Sequence, residues 1–360
     1  MFSRLLGRCI ARSFSIVARF IGSQHFSEVI RQLGNRYRIY APVLKKGEGR
    51  FTDTDVVRYD YVKDFEEIEL EKRSDYSFKE VLLPVSGTLF YFTEDKVTEP
   101  ELDDREILVF LRSCDLHAVK RFDQIYLQNG REKDWFYERV RDRLKFVLIG
   151  CRESFDDCFC VDMHTNESKD GYLFSVEEAN GEIYSDLKED GLRELFSGNS
   201  IREEEKTPAH VETNKIFVSV PDQVPLSIYK NKVWDEYDSR CIGCGRCTLV
   251  CPTCTCFTME DIYYSDNGKV GERRRVHASC MIDGYSNVAG GGEYRKKHGE
   301  RMRFKVLHKI SDFKKKFGYQ MCVGCGRCDL VCPEYISFSE CINKVDRAIR
   351  SAEDGKEAQA

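Results

Sequence analysis

Two stretches of the chain carry four cysteines each at spacings that suit metal–sulfur chemistry. Cys241, Cys244, Cys247 and Cys251 are followed by Pro252; Cys322, Cys325, Cys328 and Cys332 are followed by Pro333. Both read C-x2-C-x2-C-x3-C-P, the run with which ferredoxin-type loops hold a [4Fe–4S] cluster. Three thiolates at every third residue wrap three corners of a cube from one tight loop. Gly243, Gly245, Gly324 and Gly326 let backbone N–H groups approach the sulfurs, which favours added negative charge. The fourth cysteine of each run ligates the other cluster in two-cluster ferredoxins. Cys241, Cys244, Cys247 and Cys332 are therefore expected to hold one cluster, and Cys322, Cys325, Cys328 and Cys251 the second. Zinc is the rival reading, but zinc sites are usually built from two separated C-x2-C pairs. Cys241/Cys247 and Cys247/Cys251 also match the C-x5-C and C-x3-C spacings of sirohaem ligation, yet the compact run uses the same cysteines better.

The two runs are copies. Ten of their twelve positions are identical and they lie 81 residues apart, which marks a duplicated site and not a repeat architecture. The remaining nine of 17 cysteines are Cys9, Cys114, Cys151, Cys158, Cys160, Cys254, Cys256, Cys280 and Cys341. Cys114 and Cys151 follow two predicted neighbouring strands, and Cys158 and Cys160 come soon after. These four form a candidate for a further iron–sulfur or metal site; buried free thiols are the plainer reading. Cys254, Cys256 and Cys280 are expected to pack beside the clusters without being ligands. Arg246 and Arg327 hold matching places in the two loops and either lend them positive charge or point into solvent.

The elements that must position these residues fall into two parts. In the first, Ile107–Leu111 and Phe146–Ile149 read as strands around a helix over Asp115–Gln128, giving an α+β or α/β domain at 25–235. Ala179-Asn180-Gly181 between apolar alternations predicts a hairpin. A helical dicluster ferredoxin-like domain is expected over 236–347, with a basic insertion at 261–320 that holds 14 Lys/Arg against 7 Asp/Glu. Its charge suits either a docking face or a solvated insertion. A polar tail follows at 348–360. Residues 1–27 carry Arg4, Arg8, Arg12 and Arg19 with no acid before Glu28. This basic amphipathic start is expected to be a presequence over about 1–24, addressed to a mitochondrion- or hydrogenosome-like organelle. A cytoplasmic chain with an ordinary first helix is the alternative.

Composition excludes several classes. A chain of 360 residues has ample core and needs no disulfide staples, and an odd cysteine count argues against a closed disulfide set. The expected setting is a reducing intracellular one. No apolar run is long enough to span a membrane. A net charge of −5 and the lack of a recognisable module give no sign of nucleic-acid binding. There is no G-x-G-x-x-G dinucleotide fingerprint and no Ser/His/Asp or paired-carboxylate pattern, so no catalytic residue is assigned. His117 reads as a satisfied or surface residue.

With what lies between them, these runs resemble the iron–sulfur electron-transfer component of anaerobic sulfite reductase. The beta subunit of archaeal sulfhydrogenases is a more distant likeness. The resemblance rests on Tyr237-Asp-Ser-Arg-Cys241, Cys251-Pro-Thr-Cys-Thr-Cys256, Gly271-Glu-Arg-Arg-Arg275, Ala278-Ser-Cys280-Met, Ala289-Gly-Gly291 and Gly299-Glu-Arg301. In the first domain it adds Phe51-Thr-Asp-Thr-Asp55, Thr88-Leu-Phe-Tyr-Phe92, Arg112-Ser-Cys-Asp115 and Ser154-Phe-Asp-Asp-Cys-Phe-Cys160. It implies a non-catalytic electron-transfer subunit of an oxidoreductase complex. Such a subunit relays electrons from a flavin subunit that oxidises NADH to a sirohaem subunit that reduces sulfite to sulfide. The alternative keeps the relay but places it in a hydrogenase or sulfhydrogenase complex. A cluster-based sensor is the third class.

Overall fold

The computed structural model describes residues 17–49, 53–197 and 201–357. Its frame is an eight-stranded mixed sheet. The strands are β1 (Val17–Gly22), β2 (Arg38–Lys45), β3 (Val56–Val62), β6 (Ile107–Arg112), β7 (Leu144–Ile149), β8 (Phe174–Ala179), β9 (Glu182–Asp186) and β10 (Arg202–Glu205). They lie in the order β10-β1-β9-β8-β7-β6-β2-β3. β2, β6, β7 and β8 run parallel. β6 is buried along its whole length, which is why it reads as an unbroken apolar run. Helix α1 (Ser23–Arg36) covers one face through Phe26, Val29, Ile30 and Leu33. Helices α2 (Ser113–Leu127) and α3 (Trp135–Arg141) cover the other. The predicted hairpin is present: β8 and β9 pair up to Ala179↔Glu182, with Asn180 and Gly181 at φ of 54° and 79°, the left-handed values a two-residue turn requires.

The start of the chain departs from expectation. A presequence over 1–24 would include residues 17–22, but these form β1, an interior strand paired with both β9 and β10. Arg19 does not lie on a basic helical face; it bridges Glu203 at 3.0 Å and donates to the carbonyls of Arg193 and Phe196. Phe20 is buried against Tyr184, and Ile21 is buried in the first core. Residues 1–16, with Cys9, lie outside the described residues.

The boundary at 235 and the insertion at 261–320 need correction as well. β11 (Phe257–Tyr263) and β12 (Gly271–His277) form a hairpin that joins β4 (Ser86–Phe92) and β5 (Val97–Thr98) in a second sheet, ordered β11-β12-β4-β5. The basic segment is thus tied to the first part through β12 and the end of β11, while much of it, including Asp266–Lys269, Arg273 and Asn287–Gly292, stays exposed. Several of its arginines are paired, Arg273 with Asp261 and Arg275 with Asp134. The cysteine-rich region is mixed and not simply helical: α4 (Glu236–Arg240), α5 (Arg246–Leu249) and α8 (Arg327–Leu330) are short, while α6 (His298–Leu307), α7 (Phe313–Phe317) and α9 (Phe338–Glu357) frame it. α9 runs through the expected tail, and Ile349 is buried in the same core as Met302, Val306, Trp234 and Phe159. The two parts therefore share cores and a sheet. Among the described residues no helix is long and apolar enough to cross a membrane.

A chain begun at residue 25 should unfold at a lower urea midpoint than one begun at residue 17. Losing the burial of Phe20 and Ile21 alone costs about 1.5–3 kcal/mol each, and an unchanged midpoint would contradict the placement of β1.

Candidate iron–sulfur centre

The two cysteine runs fold into like loops that lie side by side, with α5 and α8 in contact. Gly243 and Gly324 take φ of 67° and 64°. Their N–H groups donate to the Cys241 and Cys322 sulfurs, each at 3.5 Å, and Ile336 N–H donates to Cys332 Sγ at 3.3 Å. One cavity is lined by Cys241, Cys244, Cys247 and Cys332, and also by Cys328. A second is lined by Cys251, Cys322, Cys325 and Cys328, and also by Cys247. The last cysteine of each run thus sits with the first three of the other.

The two loops differ sharply in their surroundings. Cys244 is exposed, and so is Arg246 at the rim of the first cavity. Cys322 and Cys325 are buried, because the first part of the chain covers their loop. Phe159 N–H donates to Gly324 O at 2.8 Å, Arg73 to Cys325 O at 2.6 Å and Thr165 Oγ1 to Val323 O at 2.7 Å. A Cβ on Gly324 would run into the Phe159 carbonyl. Arg327, the counterpart of Arg246, is 1% exposed and forks onto Asp115 at 2.7 and 2.8 Å while also donating to Ser74 O and Oγ. Burial pushes the Cys322 thiol up to about 12 and raises Cys325, while Lys309 and Arg327 respectively pull them down.

Three lysines stand inside this region. Lys79 donates to Thr248 O and Lys309 to Thr253 Oγ1, each at 2.8 Å, and Lys305 lines both cavities. All three are buried. Among the described residues none of them pairs with a carboxylate; sulfurs, a hydroxyl, a carbonyl and the Phe338 ring surround them. Burial lowers Lys79; at Lys305 and Lys309 burial also acts downward, but neighbouring cysteine sulfurs outweigh it and hold both above their ordinary value. A buried ammonium without a counter-charge is costly. The donor set and this surplus of positive charge fit an anionic iron–sulfur cluster in each cavity. Among the described residues no three His, Cys, Asp or Glu side chains form a single-ion site. Motif spacing alone does not single out the lysines. A weaker signal does: Lys305 and Lys309 stand four apart beside Met302, Val306 and Ile310, on the apolar side of the helical stretch.

Of the four first-part cysteines, Cys158 and Cys160 lie at the covered loop, Cys114 packs beside it, and Cys151 stands next to Arg112. Arg112 donates to Cys151 Sγ at 3.1 Å and Arg73 to Cys158 Sγ at 3.3 Å, and Cys158 Sγ reaches Cys325 O at 3.5 Å. Cys151 also lines a cavity of about 520 Å³ at the ends of β6 and β7. Cys114 and Cys160 are thiols whose pKa burial raises. Cys341 accepts from Tyr237 O–H at 3.0 Å within the third core. His117 Nε2 lies 2.9 Å from Glu167 O, a satisfied surface contact.

Together these features define an iron–sulfur electron-transfer protein. A 4Fe-4S dicluster domain matches residues 240–336. Sulfhydrogenase 2 subunit beta of Pyrococcus furiosus is 30% identical over 343 residues, covering 90% of this chain and 96% of that one. The chain belongs to the family of that protein. No solved structure matches it.

Arg327→Met should destabilise the fold by about 3–5 kcal/mol, because Asp115 is left buried and unpaired. Arg246→Met should stay within about 0.5 kcal/mol of the parent. Chemical denaturation of the two variants would check the contrast, and equal midpoints would refute it.

Proposed function

We propose that the chain is the electron-relay component of a hetero-oligomeric anaerobic sulfite reductase. Cys241, Cys244, Cys247 and Cys332 bind one [4Fe–4S] cluster, and Cys322, Cys325, Cys328 and Cys251 bind the other. The observation that carries this reading is the pair of adjoining three-plus-one thiol cavities with Lys305 between them. Each cluster supplies a one-electron couple. The chain holds the two sites next to each other, with Cys247 and Cys328 facing both cavities. Lys305 lowers the cost of added negative charge on either side. The exposed Cys244 loop is the port to a partner, while the covered loop is shielded from water. The partners are a flavin subunit that oxidises NADH and a sirohaem subunit that reduces sulfite.

The beta-subunit name of the relative favours a second terminus, a hydrogenase or sulfhydrogenase complex. Cys114, Cys151, Cys158 and Cys160 remain a candidate for a further iron–sulfur or metal site within either reading, with Arg73 and Arg112 supplying positive charge beside the sulfurs. The organelle address now rests on residues 1–16, with Arg4, Arg8 and Arg12; a cytoplasmic setting is the alternative.

Isolation of the native complex decides the terminus. A co-purifying sirohaem absorption band with sulfite-dependent NADH oxidation supports the first reading. Nickel with hydrogen-dependent activity replaces it with the second. A lone chain without a redox partner sinks both. Lys305→Met should make both clusters harder to reduce, by on the order of 59 mV, a tenfold change for a one-electron couple. Potentiometric titration followed by EPR would read this, and unchanged potentials would count against the role given to Lys305.

A further inference from the structure

Beyond the two duplicated runs, a third set of sulfurs converges on one space. Cys254, Cys256 and Cys280 line a cavity of about 320 Å³ together with His308, Lys305 and Lys309. Three separate segments bring them there. Cys254 and Cys256 lie on the short stretch between Cys251 and β11. Cys280 follows β12. The base of the β11–β12 hairpin is pinned by Phe257↔His277 pairing and by Ala278 N–H donating to Cys256 O at 3.0 Å, so the two sides stay together. Between α6 and α7 the helix widens to a π turn over His308–Asp312, a local form often found at functional sites. That turn lets the adjacent His308 and Lys309 both face the cavity, one turn beyond Lys305.

Cys280 joins the third core and Cys256 packs against it, yet both also turn to a cavity. Cys254 and Cys280 are each 6% exposed, yet they border an open space instead of filling one. Lys305 and Lys309 reach the same space without a carboxylate partner among the described residues, so the cavity is built for negative charge. Sulfur ligands with an imidazole, a cationic wall and room for more than one ion describe an iron–sulfur cluster, where histidine is a known substitute for cysteine. The His308 ring is also held in place, stacked on Phe304 at 5.5 Å with the planes 13° apart.

We propose that Cys254, Cys256, Cys280 and His308 bind a third iron–sulfur centre, a [4Fe–4S] cluster beside the one that Cys251 helps to hold. The site rests on the electron-relay reading only for its purpose; its ligands stand on the cavity alone. It makes the relay a branched or three-station path instead of a two-station wire.

The test uses the full chain, purified and reconstituted anaerobically with iron and sulfide. Cys256→Ser/Cys280→Ser should lose about four iron atoms and four acid-labile sulfides per chain relative to the parent, while the paired-cluster EPR signal persists. His308→Ala should shift the g-values of one centre and leave the others unchanged, and His308→Cys should restore iron content with a changed spectrum. Undiminished iron in the double variant overturns the site, and so does an unaltered spectrum in His308→Ala. Iron lost only from Cys158→Ser/Cys160→Ser overturns it too, by placing the extra centre in the first part of the chain. Cys244→Ser/Cys328→Ser reads the duplicated runs independently: unchanged iron there defeats the two-cluster reading and leaves this proposal standing.

Discussion

Buried positive charge without carboxylate partners is the constraint around which this structure is arranged. Lys79, Lys305 and Lys309 are withdrawn from water and face sulfur, and Arg112 is satisfied by backbone carbonyls and a thiol. In an ordinary core such groups would be replaced by apolar ones or answered by acids. Among the described residues no acid pairs with these three lysines, and thiols stand beside them. A negatively charged metal–sulfur group in the proposed cavities would counter this charge. The buried arginines Arg327, Arg301 and Arg73 differ from these lysines in having acid partners, and Arg327 is the instructive case. It does have an acid, Asp115, and that pair fastens the covered cluster loop to the start of α2 rather than tuning charge alone.

The same constraint explains why the chain is not two beads on a string. Val323 and Cys325 belong to the apolar face that packs on α2 and β6, and β12 pairs with β4. The large α/β sheet holds no cluster run of its own. Its loops instead seal one of them, through Arg73, Phe159 and Thr165.

Much of this is legible in the residues themselves. The thiol spacing announces the two loops, the apolar runs announce β6 and β7, and Asn180-Gly181 announces its turn, because each is a local rule. What stays hidden depends on distant partners. Residues 17–22 look like part of a basic amphipathic segment until β9 and β10 are there to pair with them. Arg246 and Arg327 are indistinguishable in the duplicated run, and only Asp115, 212 residues away, separates their roles. The basic stretch at 261–320 looks solvated because charge counting cannot tell Lys305, buried against sulfur, from Lys315 on the surface. Cys254, Cys256 and Cys280 look incidental until the hairpin base and the π turn place them around one space.

The lid that Asp157–Cys160 forms over the second loop also bears on how the protein is made. Gly324 and Gly326 have no room for even a methyl group beneath that lid. In the proposed two-cluster reading the inner site lies beneath this lid, with Cys322 and Cys325 buried, whereas the loop around Cys244 is open to solvent. The two positions therefore differ in how directly a delivery protein could reach them in the folded chain.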